Sequence, residues 1–156
     1  LVNNAVVIDV KAKVETDVDY LLSVEDLESW EETFGLIPEG SIVLLQTGWS
    51  KKWEKPLEYN NVQEDGSMHF PGFAESAARF MLEERKVSGI GIDTHGVDGG
   101  ASVTYSVNKV MLKRPHIVLE NLTNLDLLPV IGATLFIGLV KFRGGSGSPV
   151  EAIALF

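Results

Sequence analysis

The chain has 156 residues, with 13 Lys and Arg against 22 Asp and Glu, three His and no Cys, and its formal charge is −9. The length favours one domain with a substantial core, and the lack of Cys excludes disulfides and thiolate metal sites. An acidic chain without a run of Lys and Arg is not expected to bind nucleic acid, and no apolar run approaches the ~18 residues of a membrane span, so no membrane partner is expected either.

The first half of the sequence predicts strands and one helix, followed by a loop. A β-branched run over 5–11 predicts a buried strand. The sequence Ser-Val-Glu-Asp at 23–26 is a capping box, which predicts a helix that ends at Gly35. Residues 41–46 predict a second buried strand, and the polar, aperiodic stretch 51–67 predicts a long surface loop.

The second half alternates in the same way. Helical spacing predicts a helix over 74–84, then a strand over 87–93. A helix over 105–112 and a strand over 116–119 follow. The remaining elements are a helical turn at 125–128, a strand at 134–140, a Gly-rich turn at 144–149 and a last strand at 150–155. This alternation predicts an α/β fold, with no linker and no internal repeat.

Three polar segments follow predicted strands, at 93–98, 120–121 and 141–148. Ligands of open α/β sheets bind at the carboxyl ends of strands, so these segments are candidate sites. The Gly-rich turn at 144–149 could offer backbone N–H groups to an anion. It lacks the Lys and the following helix of a phosphate-binding loop, and a tight turn between strands uses the same residues, so a structural turn is favoured.

The segment after the 87–93 strand contains Asp93, Thr94, His95 and Asp98. These side chains could form a carboxylate–histidine site for a metal ion or a general base. Alternatively, Asp93 and Thr94 satisfy backbone groups of the loop, while His95 is half exposed. The second interpretation is favoured, because such residues are common at strand exits.

Glu120 ends an apolar strand, and we expect its carboxylate to be partly desolvated there. A salt bridge and metal ligation are equally good explanations of such a carboxylate. His116 is expected to be a hydrogen-bonded core or edge histidine, whereas His69 could point into a cleft or into solvent. Trp49 and Trp53 could form an aromatic wall for a planar ligand, or simply pack the loop onto the domain.

Together, these segments resemble the cyclase family of metal-dependent hydrolases, which includes bacterial kynurenine formamidase. The matching segments, in the family's order, are 6–10, 25–27, 40–49, 70–73, 89–94, 120–122 with 125–129, and 144–149. The resemblance implies a swivelling β/β/α domain with a compact β core. The chain starts at Leu1 without an initiator Met, so we expect residues 1–156 to be a single, incomplete domain whose N-terminal part is missing.

The resemblance also implies a divalent metal, zinc or manganese, that activates water against a formamide or cyclic amide carbonyl. The family's His-x-Gly-Thr-His-x-Asp-x-Pro-x-His motif, which carries most ligands and the catalytic His, is absent from this chain, so no catalytic residue is assigned. Glu120 matches a family metal ligand. Asn108 stands where the family has a His, and its amide is a poor zinc ligand. Glu151 replaces an Arg, and Gly96 replaces a Ser.

The resemblance leads to two main hypotheses. The first is a metal-dependent hydrolase of a formamide or cyclic amide, similar to arylformamidases, with a small-molecule amide substrate; residues 1–156 alone are expected to be inactive. The alternative is a catalytically inactive paralogue that acts as a binding or interaction module. An anion-binding domain that uses the Gly-rich turn ranks last, because a charge of −9 repels anions unless the field is locally reversed. An incomplete domain would expose strand edges and apolar surface, so a homo-oligomer is expected.

Overall fold

The structure, a computed structural model, describes residues 1–156 and is built on a six-stranded sheet. The strand order is β6-β5-β3-β1-β7-β8. The strands are β1 (Val2–Asp9), β3 (Ile42–Gln46), β5 (Gly89–Ile92), β6 (Ile117–Leu119), β7 (Ile131–Leu139) and β8 (Val150–Leu155). A separate parallel pair joins β2 (Leu21–Leu22) to β4 (Gly72–Phe73).

Five α-helices and two 3-10 helices connect the strands. The α-helices are α1 (Lys11–Val14), α2 (Val24–Phe34), α3 (Pro56–Asn60), α4 (Glu75–Glu83) and α5 (Ser106–Leu112), and the 3-10 helices are Trp49–Lys52 and Leu125–Leu127. No helix is both long and apolar enough to cross a membrane. The capping box is formed as predicted, because the Ser23 hydroxyl accepts from the Asp26 N–H and the Asp26 carboxylate accepts from the Ser23 N–H.

The sheet has a parallel half and an antiparallel half. β1, β3, β5 and β6 run parallel, whereas β7 pairs antiparallel with β1 and β8 pairs antiparallel with β7. Alternate residues of β1 and β3 point to opposite faces, and each face has its own core. The larger core packs β1, β3 and β5 against α2, α4 and α5. The smaller core packs the other face against β7 and the 3-10 helix at 125–127.

The α/β class and the six main strands predicted from the sequence are confirmed, with shifts of a few residues at their ends. The long surface loop predicted at 51–67 is wrong, because this stretch contains α3. Pro56 takes the first position of α3, where its missing N–H costs nothing. Tyr59 in the same helix is buried against Trp49 and Phe70, which gives the short helix its anchor. The strands β2 and β4 were not predicted, since two residues carry no periodicity.

Candidate functional site

A buried hydrogen-bond network joins the carboxyl ends of β3 and β5. Asp93 is 1% exposed, and its Oδ1 accepts from the Thr47 N–H at 3.0 Å and from the Thr47 hydroxyl at 2.6 Å. Tyr59 donates its hydroxyl to Asn121 Oδ1 at 2.8 Å, and burial, with the charges of Asp93 and Glu120, raises the pKa of Tyr59 to about 12. The Asp93 carboxylate therefore ties two strand ends together, as the favoured interpretation of this segment predicted.

A second network lies beside the first and contains the residues that the cyclase resemblance selects. Asp98 is 5% exposed and accepts from the backbone N–H groups of Val107 at 2.8 Å and Asn108 at 3.1 Å, in the first turn of α5. It also accepts from the Asn108 side-chain amide, Nδ2, at 3.0 Å. Since that amide nitrogen is engaged by Asp98, the amide oxygen of Asn108 is the end that remains available to a ligand.

Glu120, which follows β6, lies near the second network. Burial and the nearby negative charge of Asp98 raise the pKa of the Glu120 carboxyl, while the Val97 N–H works in the opposite direction. The residue as a whole is still exposed to solvent, so its carboxylate is accessible. Two carboxylates and one amide therefore share a small region with no Lys or Arg paired to them. The salt-bridge explanation of Glu120 is not what the structure shows.

Glycines hold the loop that carries Asp98 in place. A Cβ on Gly72 would lie 2.5 Å from the backbone N of Gly99 and 2.7 Å from the Val97 carbonyl oxygen. A Cβ on Gly100 would similarly lie 2.6 Å from the Phe70 N. The two backbone segments approach so closely that only glycine fits, which fixes the position of Asp98 relative to the sheet.

His95 does not form the carboxylate–histidine site that was considered from the sequence. Its ring packs against Phe70, with 4.1 Å between ring centroids, and against Tyr59, with 5.3 Å. Neither ring nitrogen has a hydrogen-bond partner, and desolvation lowers the pKa of His95, so the imidazole is neutral. The oxygens of Asp93 and Asp98 are instead occupied by other donors.

The other two histidines have structural partners. His69 Nδ1 lies 2.6 Å from an Asp19 carboxylate oxygen, so the side chain is partly buried and held by this hydrogen bond. The His116 ring hydrogen-bonds the Met111 carbonyl oxygen at 3.0 Å, so the expectation of a satisfied edge histidine is confirmed.

Of the two interpretations left open for Trp49 and Trp53, an aromatic wall or ordinary packing, the structure shows packing for Trp49. Trp49 is 2% exposed and donates its indole N–H to the Tyr59 carbonyl at 2.9 Å, so it belongs to the core. Trp53 is 61% exposed and meets the Tyr59 ring edge-on at 5.2 Å. The Trp53 and Tyr59 rings line a cavity of about 700 Å³ that is also lined by Asp93 and Asn121. Tyr59 was not identified from the sequence, because its segment lacks a helical pattern.

The donor set suits a hard divalent cation, and it is incomplete. Glu120 and Asn108 offer a carboxylate and an amide oxygen, the ligand types that hard cations prefer. Asp98 uses its oxygens to hold Asn108 and α5. No group of three or more His, Asp or Glu in residues 1–156 is arranged to hold a metal ion. These two oxygen donors fit such a cation but are too few to hold it by themselves.

The Gly-rich turn at 144–149 connects β7 to β8, as expected of a structural turn. Most of its residues are exposed, and no helix follows it. It lies at the tip of the antiparallel hairpin and contributes nothing to the two networks.

Comparison with known proteins gives consistent matches along the chain. The Cyclase family model matches residues 1–99. The isatin hydrolase of Roseibium aggregatum is 32% identical over 153 residues, which cover 96% of this chain and 57% of that protein. The structure of isatin hydrolase A from Ralstonia solanacearum superposes with a TM-score of 0.94 at 38% identity, covering 98% of this chain and 59% of that one.

A third relative is an isatin hydrolase whose structure contains the product analogue thioisatinate. It superposes with a TM-score of 0.94 at 30% identity and covers 100% of this chain and 60% of that one. The chain therefore spans less than two thirds of the length of each of these relatives.

Proposed function

Because the chain belongs to the cyclase family, as the sequence resemblance indicated, we propose that it forms part of a metal-dependent hydrolase that opens a cyclic amide such as isatin. Its contribution to the active site would be the group Asp98, Asn108 and Glu120. The proposal is carried by this juxtaposition at the carboxyl ends of the strands, in a chain that superposes on isatin hydrolases along nearly its whole length.

The chemistry divides between a bound metal and the side chains of this chain. A divalent metal at the site would supply a Lewis acid that lowers the pKa of bound water and polarises the amide carbonyl. Glu120 and Asn108 would hold it through oxygen atoms. Asp98 acts on Asn108 rather than on the substrate, because it accepts a hydrogen bond from Nδ2 and leaves the amide oxygen for a ligand. The hydrogen bond from the Tyr59 hydroxyl holds Asn121, which directly follows Glu120 in the chain.

A cyclic amide is a better candidate substrate than a formamide. The three relatives described above are named as isatin hydrolases, and isatin is a planar bicyclic amide. Trp53 and Tyr59 provide aromatic surface beside Asp93 and Asn121, where such a ring could stack. Oxygen ligands in place of a histidine also favour manganese over zinc.

The test measures isatin turnover by the full-length protein that contains this chain. The loss of isatin absorbance is monitored in the presence of Mn²⁺, of Zn²⁺ or of EDTA. We expect activity with Mn²⁺ that EDTA abolishes. Glu120→Gln should lower kcat/KM by about 10²-fold or more, since it removes a charged metal ligand. Glu39→Gln is the matched control, because the Glu39 side chain is exposed and makes no hydrogen bond or salt bridge.

Two results would contradict the proposal. Equal activity of the Glu120→Gln and Glu39→Gln variants would remove Glu120 from the site. A full-length protein that folds but turns over no isatin and no formamide with either metal would instead support the inactive paralogue.

A further inference from the structure

A groove with a volume of about 660 Å³ lies between α4 and α5. It extends past the ends of these helices to Lys86 and His116, which precede β5 and β6. Those are the amino ends of the two strands, whereas Glu120 and Asp93 lie at carboxyl ends. The groove is therefore separate from the candidate active site and shares no lining residue with it.

The charge of the groove is opposite to that of the protein. Five of the 13 Lys and Arg line it, namely Arg79, Lys86, Lys109, Lys113 and Arg114. Only two acids, Glu75 and Glu83, join them, so the groove carries a formal charge of +3. The rest of the chain then has eight cations against 20 acids, a charge of −12. The local reversal of the field that an anion would need is found here, and not at the Gly-rich turn.

Most of these cations have no counter-charge within the chain. Arg79 is neutralised by Glu75, to which it donates two hydrogen bonds of 2.9 and 2.8 Å. In contrast, Lys109, Lys113 and Arg114 take part in no salt bridge. Lys86 donates only to the backbone carbonyl of Glu83. Cations grouped without anions repel each other, and that repulsion is relieved when an anion binds.

Helix geometry explains why these residues share one groove. Lys109 and Lys113 are four residues apart on α5 and at its end, so they lie on the same side of the helix. Glu75, Arg79 and Glu83 follow the same spacing along α4. One function of cations near helix ends is to offset the partial negative charge of the last carbonyls. That function needs one or two cations at each helix, and it does not require them to line a common cavity.

We propose that the groove between α4 and α5 binds a small anion that carries two or more phosphate groups. A single carboxylate would neutralise only one of the unpaired cations. Linked phosphates present several charges within a few ångströms, and Arg114 can bind such oxygens with two parallel N–H groups. The groove has the volume of a small-molecule site. A long nucleic acid is disfavoured, because the other residues of the chain carry a formal charge of −12.

The test measures binding of inorganic tripolyphosphate to the full-length protein by calorimetry. The variant Lys113→Ser/Arg114→Ser should bind about tenfold more weakly or worse, since it removes two of the unpaired cations. The matched control is Lys141→Ser/Arg143→Ser, which removes one Lys and one Arg from the exposed segment beside the Gly-rich turn. It should bind as the unchanged protein does. Any chelation of metal by the probe is the same in all three proteins.

Several outcomes would overturn the proposal. Absence of tripolyphosphate binding would do so directly. Equal weakening in both double variants would mean general attraction of anions, and a loss confined to Lys141→Ser/Arg143→Ser would place the anion at the hairpin tip. Citrate that binds as tightly as tripolyphosphate would exclude recognition of phosphate. If the proposal holds, binding of ATP distinguishes two possible natural ligands. Tight ATP binding indicates a nucleotide, whereas a lack of ATP binding indicates an inorganic polyphosphate.

Discussion

The parallel and antiparallel halves of the sheet differ in how well they are covered. In the parallel half, β3 is buried at every position, and β5 likewise. In the antiparallel half, five of the six residues of β8 are exposed. Val2, Phe136 and Ile153 lie side by side across three strands and are 60, 38 and 50% exposed. The same sheet therefore has a fully buried core in its parallel half and an exposed apolar surface in its antiparallel half.

The difference follows from how each kind of strand pairing is built. Parallel strands need crossover connections, and the helices in those connections cover their faces. The β7–β8 hairpin has only a turn between its strands, so nothing in that connection can cover it. Exposed apolar edge strands are surfaces on which other chains or segments pack. The homo-oligomer expected from the sequence remains a prediction, and this hairpin is where we expect its contacts.

The largest expected effect comes from one substitution made in both halves. Ile90→Ala should lower the free energy of unfolding by about 4 kcal/mol, because Ile90 is fully buried in the larger core. Ile153→Ala should lower it by less than about 1 kcal/mol, since half of that side chain is already in water. Urea unfolding followed by circular dichroism measures both. Similar losses would mean that the hairpin is as well packed as the parallel half.

A pair of strand glycines offers a second comparison. A Cβ on Gly89 would lie 2.6 Å from the Cβ of Ile117 on the neighbouring strand, so Gly89→Ala should cost about 3 kcal/mol. A Cβ on Gly138 would lie 3.7 Å from the Glu151 carbonyl, an ordinary contact. Gly138→Ala should therefore change stability by no more than about 0.5 kcal/mol. Thermal unfolding of the two variants is the measurement, and a larger loss at Gly138 would contradict the expected difference.

The ion pair between Glu31 and Arg85 should give the parallel half a pH dependence. Arg85 donates from Nε and Nη2 to the two Glu31 oxygens at 2.6 and 2.8 Å, and this lowers the pKa of Glu31 from its usual 4.5. The stabilisation is therefore full above pH ~4.5 and lost as the pH falls through the lower pKa of the folded state. Glu31→Gln should cost about 2 kcal/mol at pH 7. The loss should shrink at pH 3, and an equal loss at both pH values would contradict the assignment.

The smallest effect on the free energy of unfolding is expected from a substitution in the exposed hairpin, which should instead change self-association. Ile153→Lys places a charge in the exposed row of the hairpin and should alter the free energy of unfolding by less than about 0.5 kcal/mol. The same change should reduce self-association, because a Lys on an edge strand opposes pairing with another chain. Light scattering of the full-length protein measures the mass. An unchanged oligomer would show that its interface lies elsewhere.

Much of the fold could be predicted from local signals. The apolar runs of β3 and β5 identify strands buried on both faces, and the capping box at 23–26 marks the start of α2 to the residue. The segment around α3 could not be predicted, because that helix is stabilised by tertiary contacts of Tyr59 rather than by its own pattern. The exposed hairpin was also not predicted as such, since its apolar sequence resembles that of a covered strand.

The candidate site was predictable only in part. Glu120 follows from the rule that sites lie at the carboxyl ends of strands, and Asn108 from the family resemblance. The bond between Asp98 and Asn108 joins residues ten positions apart through the folded turn, so only the structure reveals it. The groove was not visible either, because its cations come from two segments, 79–86 and 109–114, that only the fold brings together.

The position of β1 has a consequence for synthesis of the protein. β1 lies between β3 and β7, and its residue Val2 pairs with Phe136. A ribosome that adds roughly 5–20 residues per second needs roughly 7–27 s to make the chain between them. During that interval β1 can dock on β3, while its other edge, bordering the apolar run 5–8, has no partner. The nascent chain should therefore expose this strand edge until the β7–β8 hairpin leaves the ribosome.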